Sequence, residues 1–309
     1  MAKETAKKAR VARLASLYIQ DDSVTLAVGE PHDDGVALQL CDVLPVDKLD
    51  QLRGVFEQFA TTYHLHNCPT QITLAPSYYQ LLQIDQPKVG EKELANAAKW
   101  LVKDLIDFPV SEAVIGAFPV LNRPGATKKC TAVVGKVNEI AAIRSAAEQA
   151  EFDLLGIGIT ELTLNAILSQ QKQADHGVGM VVLQPNTHLL CVSSEGILHF
   201  SRNLSVDYGQ PILEKADELD KLALDIQRSL DYYQSHLQQP MPASVLLVDS
   251  GDDDEMLVEQ INNRITIPLG LFDFSEFFIL PDSSDQSVLR PHAVALAGLY
   301  VGRENAAKN

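Results

Sequence analysis

Two short turns carry the residues best placed to do chemistry. Gln20-Asp21-Asp22-Ser23 joins an apolar run over residues 14–19 to a second run over 24–28. Gln184-Pro185-Asn186-Thr187 joins residues 180–183 to 189–192 in the same way, and a second turn at Ser194-Glu195-Gly196 leads into residues 197–201. Each unit opens one half of the chain. Paired turns of this kind hold the phosphates of a nucleotide when their backbone N–H groups face the anion and a carboxylate positions Mg²⁺. Neither turn here contains the glycine that lets a backbone approach an anion closely. Pro185 has no N–H to offer. Asp21 and Asp22 put carboxylates where donors belong. At an effective dielectric near 20, a carboxylate about 5 Å from a phosphate charge costs on the order of 3 kcal/mol. That is comparable to the ~4 kcal/mol between micromolar and millimolar affinity. The two carboxylates could hold Mg²⁺ jointly, but aspartate is equally at home in a solvated hairpin turn.

Other constellations are weaker. His64, His66 and Cys68 alternate and would share one face of an extended strand, as a zinc site requires. Pro69 and the helical pattern before them point instead to a helix end and a turn, and no metal site is expected. Gly125-Ala126-Thr127-Lys128-Lys129 lacks phosphate-loop spacing. No G-x-S-x-G elbow occurs, and Gly156-Ile157-Gly158 is an isolated glycine pair.

The chain has 309 residues with 25 Lys and Arg against 41 Asp and Glu, a formal charge of −16. Such a surface repels nucleic acid, whose binding depends on neutralising phosphates. No apolar run approaches the roughly 20 residues that span a bilayer, and the N-terminus lacks a signal-peptide core. A cytoplasmic location is expected. The basic stretch 1–13, with Lys3, Lys7, Lys8, Arg10 and Arg13, reads as a solvated, disordered tail. Cys41, Cys68, Cys130 and Cys191 are widely spaced, as suits free thiols in a reducing compartment.

The elements that must position the turns follow from periodicity. After the first hairpin come a strand over 36–44, a helix over 50–63 and strands over 71–75 and 79–84. A helix over 90–106 places Leu94, Ala97, Ala98, Leu101 and Leu105 on one face and carries the only tryptophan, Trp100. Strands over 113–121 and 130–135 and a helix over 138–150 complete a helix–strand–strand–helix block. A strand over 154–159 and a helix over 160–173 lead to a polar hinge at 170–177. The second half repeats the hairpin, then gives a long helix within 211–239, a strand over 244–248, a helix over 254–261, a phenylalanine-rich segment and a small-residue helix over 291–302. The expected layout is therefore a tail (1–13), a first lobe (14–86 plus 155–175), an inserted subdomain (87–154) and a second lobe (176–309), in an α/β, ribonuclease-H-like fold.

This layout resembles the actin-like ATPase superfamily, and the details resemble its PilM branch. Leu74-Ala75-Pro76-Ser77 followed by Ile84-Asp85-Gln86-Pro87 resembles that branch's strand pair ending in proline. Asp225-Ile226-Gln227-Arg228-Ser229-Leu230-Asp231-Tyr232-Tyr233 resembles its E-I-x-R-S-L-x-F/Y-F/Y helix. Trp100-Leu101-Val102-Lys103-Asp104-Leu105-Ile106-Asp107-Phe108-Pro109 resembles the PilM-like (MshI-type) members of MSHA pilus systems. The resemblance implies a cytoplasmic component of type IV pilus assembly, peripheral to the inner membrane through its partners. It docks the N-terminal cytoplasmic peptide of an inner-membrane assembly protein between the first subdomain and the inserted one. The pilus assembly ATPase is a second implied partner. The peptide groove is expected to be walled by Leu82 and Ile84 from the first subdomain and by Trp100, Leu105 and Phe108 from the insert. The family's Asp-x-Gly turn falls on Tyr18 and Gln20 here, and on Leu183 and Pro185 in the second half. Its glycine pair beside adenosine falls on Ser250 and Gly251. Asp21, Ser23 and Gly251 are thus the remnants of a nucleotide cleft, with ATP and Mg²⁺ doubtful as cofactors and no hydrolysis expected. The competing expectation is an ATP-binding member of the same superfamily in a pilus, secretion or cell-division complex.

Overall fold

The computed structural model describes residues 13–122, 125, 127–171, 176–206, 213, 215–249, 253–280 and 285–308. The first half opens with strands β1 (Leu14–Ile19), β2 (Ser23–His32) and β3 (Gly35–Pro45), then helix α1 (Leu52–Tyr63) and strand β4 (Pro69–Leu74). Strand β8 (Asp153–Ile159) and helix α4 (Thr160–Leu168) close it. β1 runs antiparallel to β2 and parallel to β4, and β4 is parallel to β8. The second half repeats this plan with β9 (Val178–Gln184), β10 (Thr187–Ser194), β11 (Ile197–Asn203), α5 (Ala216–Ser235), β12 (Ser244–Asp249), α6 (Asp254–Asn262) and β13 (Leu269–Leu271). The spatial orders β3-β2-β1-β4-β8 and β11-β10-β9-β12-β13 are the same third-second-first-fourth-fifth arrangement. β1 and β9 are buried along their whole length, which is why both read as unbroken apolar runs rather than alternating ones.

A three-stranded sheet is inserted between β4 and β8. It consists of β5 (Tyr79–Asp85), β6 (Ala113–Pro119) and β7 (Lys129–Lys136) in the order β5-β7-β6, covered by α2 (Glu91–Val102). Two expectations are corrected here. β5, read as a first-lobe strand, pairs with β7 and starts the inserted sheet at residue 79 rather than 87. α3 (Val137–Gln149), read as the insert's last helix, packs Ile143, Ala146 and Ala147 into the first lobe's core with Phe56 and Phe59 of α1. The insert is a strand–helix–strand–strand unit with a small core of its own: Ile84, Leu94, Ala98, Val102, Cys130, Ala132 and Val134.

The C-terminal segment does not stay in the second lobe. β14 (Phe278–Ile279) pairs parallel with β3 at the edge of the first sheet. α7 (Ala293–Lys308) then lies against β1, β2, β4 and α4. Aromatic side chains mark both ends of this return: Phe272 stacks on Phe277 with ring centroids 4.8 Å apart, and Phe278 meets Tyr300 edge-on at 5.5 Å. The largest core therefore spans both lobes, with Leu14 and Tyr18 from the first, Met180 and Leu189 from the second, and Leu296 and Leu299 of α7 between. Small residues let α7 approach the sheet. A Cβ built at Gly298 would sit 2.1 Å from Ser16 Oγ and 3.2 Å from Ser16 Cβ. Gly298→Ala is expected to cost about 1–3 kcal/mol by overpacking, read as a lowered urea midpoint. Adding Ser16→Ala, which removes a buried hydroxyl that has no partner among the described residues, should recover part of that loss; no loss in the single variant would mean that the helix is not held this closely.

Candidate functional site

The two turns meet each other. Between β1 and β2, Gln20 N–H donates to Ser23 O at 2.9 Å and closes the first turn. Its Asp22 accepts from Ser23 Oγ at 3.0 Å and from Asn186 Nδ2 of the second turn at 2.9 Å. Behind this exposed contact, Tyr18 Oη and Thr187 Oγ1 share a hydrogen bond at 2.6 Å. Tyr18 and Thr187 are each 1% exposed, and burial pushes the Tyr18 hydroxyl up to about 12, so it stays protonated. The tyrosine reaches across from the last turn of apolar β1 because β1 ends where the lobes face each other. Asp21 lies on the other side of the turn, at a cavity of about 390 Å³ lined also by Leu49, Tyr78 and Glu139. Ser23 bonds within its own turn. Gly251, with Ser250, lies outside the described residues.

A belt of buried polar groups continues from Tyr18 along the lobe interface. Thr160 Oγ1, at the start of α4, donates to Leu74 O at 2.8 Å and lies 3.5 Å from Tyr18 Oη. Glu161 is 2% exposed, and its Oε2 accepts from Tyr79 Oη at 2.5 Å. Burial raises the Glu161 carboxyl, the tyrosine bond opposing it. Sequence inspection missed Tyr18, Thr187, Tyr79 and Glu161 as a group, because they lie on four elements, β1, β10, β5 and α4, that meet only in the fold. On the far side, Gln184 Nε2 donates to the carbonyls of Arg290 and Pro291. Arg290 pairs with Asp254 at the start of α6.

The residues proposed as the walls of a peptide groove separate into two groups. Ile84 is 4% exposed and Leu82 partly buried, both within the insert's core under α2. They belong to the insert itself and not to the first subdomain. α2 ends at Val102 and turns Leu94, Ala98 and Val102 inward, so Leu101 and Leu105, read as inward, lie outside at 43% and 54% exposed. Trp100 is 79% exposed. Phe108 is half-buried and lines a surface cavity of about 440 Å³ with Lys103, Ile106 and Val110. Trp100 and Leu105 are thus exposed, whereas Phe108 packs with Leu82 and Ile84 in or against the insert's core. The His64–Cys68 segment is a helix end, with His64 and Asn67 both left-handed at φ 55° and 56°. Among the described residues no three His, Cys, Asp or Glu converge as metal ligands.

No family model and no curated protein matches the chain. Solved structures do. A chain of a structure described as the PilM-PilN type IV pilus biogenesis complex matches with a TM-score of 0.72 and 15% identity, over 95% of this chain and 98% of that one. The cytoplasmic domain of EpsL, an inner membrane component of the type II secretion system of Vibrio cholerae, matches with a TM-score of 0.50 and 11% identity, over 92% and 94%. At these identities the likeness is one of fold. The chain has the actin-like fold, in the two-lobed form with an insert.

Two measurements probe the contact between the lobes. Tyr18→Phe leaves the Thr187 hydroxyl buried without its partner and should cost about 1–3 kcal/mol. A double-mutant cycle with Thr187→Val should give a coupling of about 1 kcal/mol; zero coupling would mean that this bond does not join the lobes. For Asp254, burial raises the carboxyl to about 6 against the pull of Arg290. A raised folded value means the neutral form suits the fold, so the wild type loses stability as pH rises from about 4 through 6. Relative to it, Asp254→Asn should gain melting temperature across that window.

Proposed function

We propose that this chain is a non-catalytic scaffold of type IV pilus biogenesis, of the MSHA (MshI) kind. In this reading it docks the cytoplasmic N-terminal tail of an inner-membrane assembly protein and works at the membrane through that partner. The observation that carries the reading is the direct bonding of the two turns, Tyr18 to Thr187 and Asp22 to Asn186. A triphosphate needs the space between such turns, amide donors along them and a cation beside them. Here a tyrosine ring, a proline and Asp22 stand at those positions, and this reading expects neither ATP nor Mg²⁺ to be held there. The fold shared with the PilM-PilN structure over nearly the whole chain supports placing the protein in a pilus or secretion assembly. Among the described residues no helix is long and apolar enough to cross a membrane, which agrees with attachment through a partner.

The insert is the natural docking element. It holds eight Lys and Arg against six Asp and Glu between residues 79 and 136, in a chain with 25 against 41 overall. Trp100, Leu105 and Phe108 give it apolar anchors of the kind that dominate interfaces. Lys99 and Lys103 flank Trp100 along the chain and suit a tail with acidic residues between apolar ones.

Titration calorimetry tests both halves of the proposal. Mg-ATP should give no saturable heat below the millimolar range, and low-micromolar binding abolished by Asp21→Ala would refute the scaffold reading. Synthetic tails of the pilus operon's inner-membrane proteins should include one that binds. Trp100→Ala or Leu105→Ala should weaken it by about tenfold, or ~1.4 kcal/mol. Leu82→Ala and Ile84→Ala should instead lower the melting temperature, since they hollow out the insert's core.

A further inference from the structure

A third cavity, of about 330 Å³, lies between the insert and the second lobe. One wall is β5, with Tyr79 and Leu81; the other is β10 and β11, with Leu189, Ser201 and Arg202; Glu161 of α4 lines it as well. Two features make this more than a gap. Both flanking strands are sheet edges: β5 is outermost in the order β5-β7-β6, and β11 is outermost in β11-β10-β9-β12-β13. Edge strands present unpaired backbone N–H and C=O groups, and an extended peptide binds such an edge by adding a strand. The cavity gives room for a short stretch of extended chain.

The second feature is Glu161. It is 2% exposed and accepts the Tyr79 hydroxyl at 2.5 Å, and among the described residues no cation pairs with it. A buried carboxylate without a counter-ion is costly unless a charge arrives to compensate it. An anionic ligand would add a second negative charge, whereas a primary ammonium would supply the missing positive one. The chain's net charge of −16 attracts the same class of ligand. Arg202, on the β11 wall, offers donors to peptide carbonyl groups.

We propose that the slot between β5 and β11 takes the extended end of a docked tail, its backbone pairing with the two strand edges and its primary ammonium meeting the Glu161 carboxylate. This rests on the scaffold reading and deepens it, since β5, one wall of the slot, belongs to the insert on which the tail docks. The ammonium is either the tail's N-terminal amine or a lysine close to it.

The test uses the full chain and synthetic tails of the pilus operon's inner-membrane proteins in free, N-acetylated and Lys→Gln forms, by titration calorimetry. Blocking the responsible amine should weaken binding to the wild type by about tenfold or more; loss on acetylation assigns the terminal amine, and loss on Lys→Gln assigns the side chain. Glu161→Gln keeps an oxygen for Tyr79 and should remove the difference between free and blocked tails. Should that variant fail to fold, the blocked tails on the wild type decide alone, together with hydrogen exchange at Gln80, Leu81, Ser201 and Arg202, whose amides should gain protection when the tail is bound. A tail that binds wild type equally in all forms, without protecting those amides, overturns the slot and leaves the scaffold standing. Failure of the folded protein to bind any tail overturns both.

Discussion

The hydrogen bond between Tyr18 and Thr187 is where the two halves of this molecule become one. Each half is a sheet whose first strand is buried on both faces, and each first strand ends in a turn at the lobe interface. In such a duplicated plan the turns face each other across whatever the interface holds. Here it holds a phenol and a threonine hydroxyl, both almost without solvent. An unpaired hydroxyl at such a depth costs as much as several exposed bonds contribute, so each group holds the other in place. The exposed Asp22–Asn186 bond closes the rim above them.

That contact does not stand alone. The chain leaves the second lobe through a phenylalanine cluster, adds a strand to the edge of the first sheet and ends in a helix laid across β1 and β4. Gln184, the residue that enters the second turn, bonds the carbonyls just ahead of that helix. The second turn is therefore tied on one side to Tyr18 and on the other to the segment that returns to the first lobe. One continuous core of residues from both halves lies between. Separating the lobes would open apolar surface as well as break polar bonds, at about 25 cal/mol for each Å² exposed.

Much of this was legible in the sequence, and the parts that were not have physical reasons. The duplicated hairpins and the long helix within 211–239 are local patterns, and the structure has both. The errors cluster at the insert, where local patterns do not say which neighbour a face meets. β5 alternates as an edge strand would in either sheet. The apolar residues of α2 cover more than one face, and period alone could not choose between Leu101 and Val102 as the inward residue; α2's packing on the small sheet settled it for Val102. The return of residues 278–308 to the first lobe is a long-range event with no local mark beyond small residues. At the site, absence of glycine was plain from the residues, but the bond that fills the space was not, because Tyr18 and Thr187 are 169 positions apart.

The insert differs from the rest of the molecule in each of these respects. Its core is small and its own, it is net basic within an acidic chain, and its largest aromatic side chain faces solvent. Trp100 gains nothing for folding in that position, since the buried face of α2 is complete without it in Leu94, Ala98 and Val102. A tryptophan held 79% exposed leaves a large apolar area in water, and covering it is worth more than covering any other single side chain on that helix. The lobes have bonded their facing turns to one another, while the insert leaves Trp100, Leu101 and Leu105 in water. In the scaffold reading, contact with another molecule there would cover the area that folding leaves exposed.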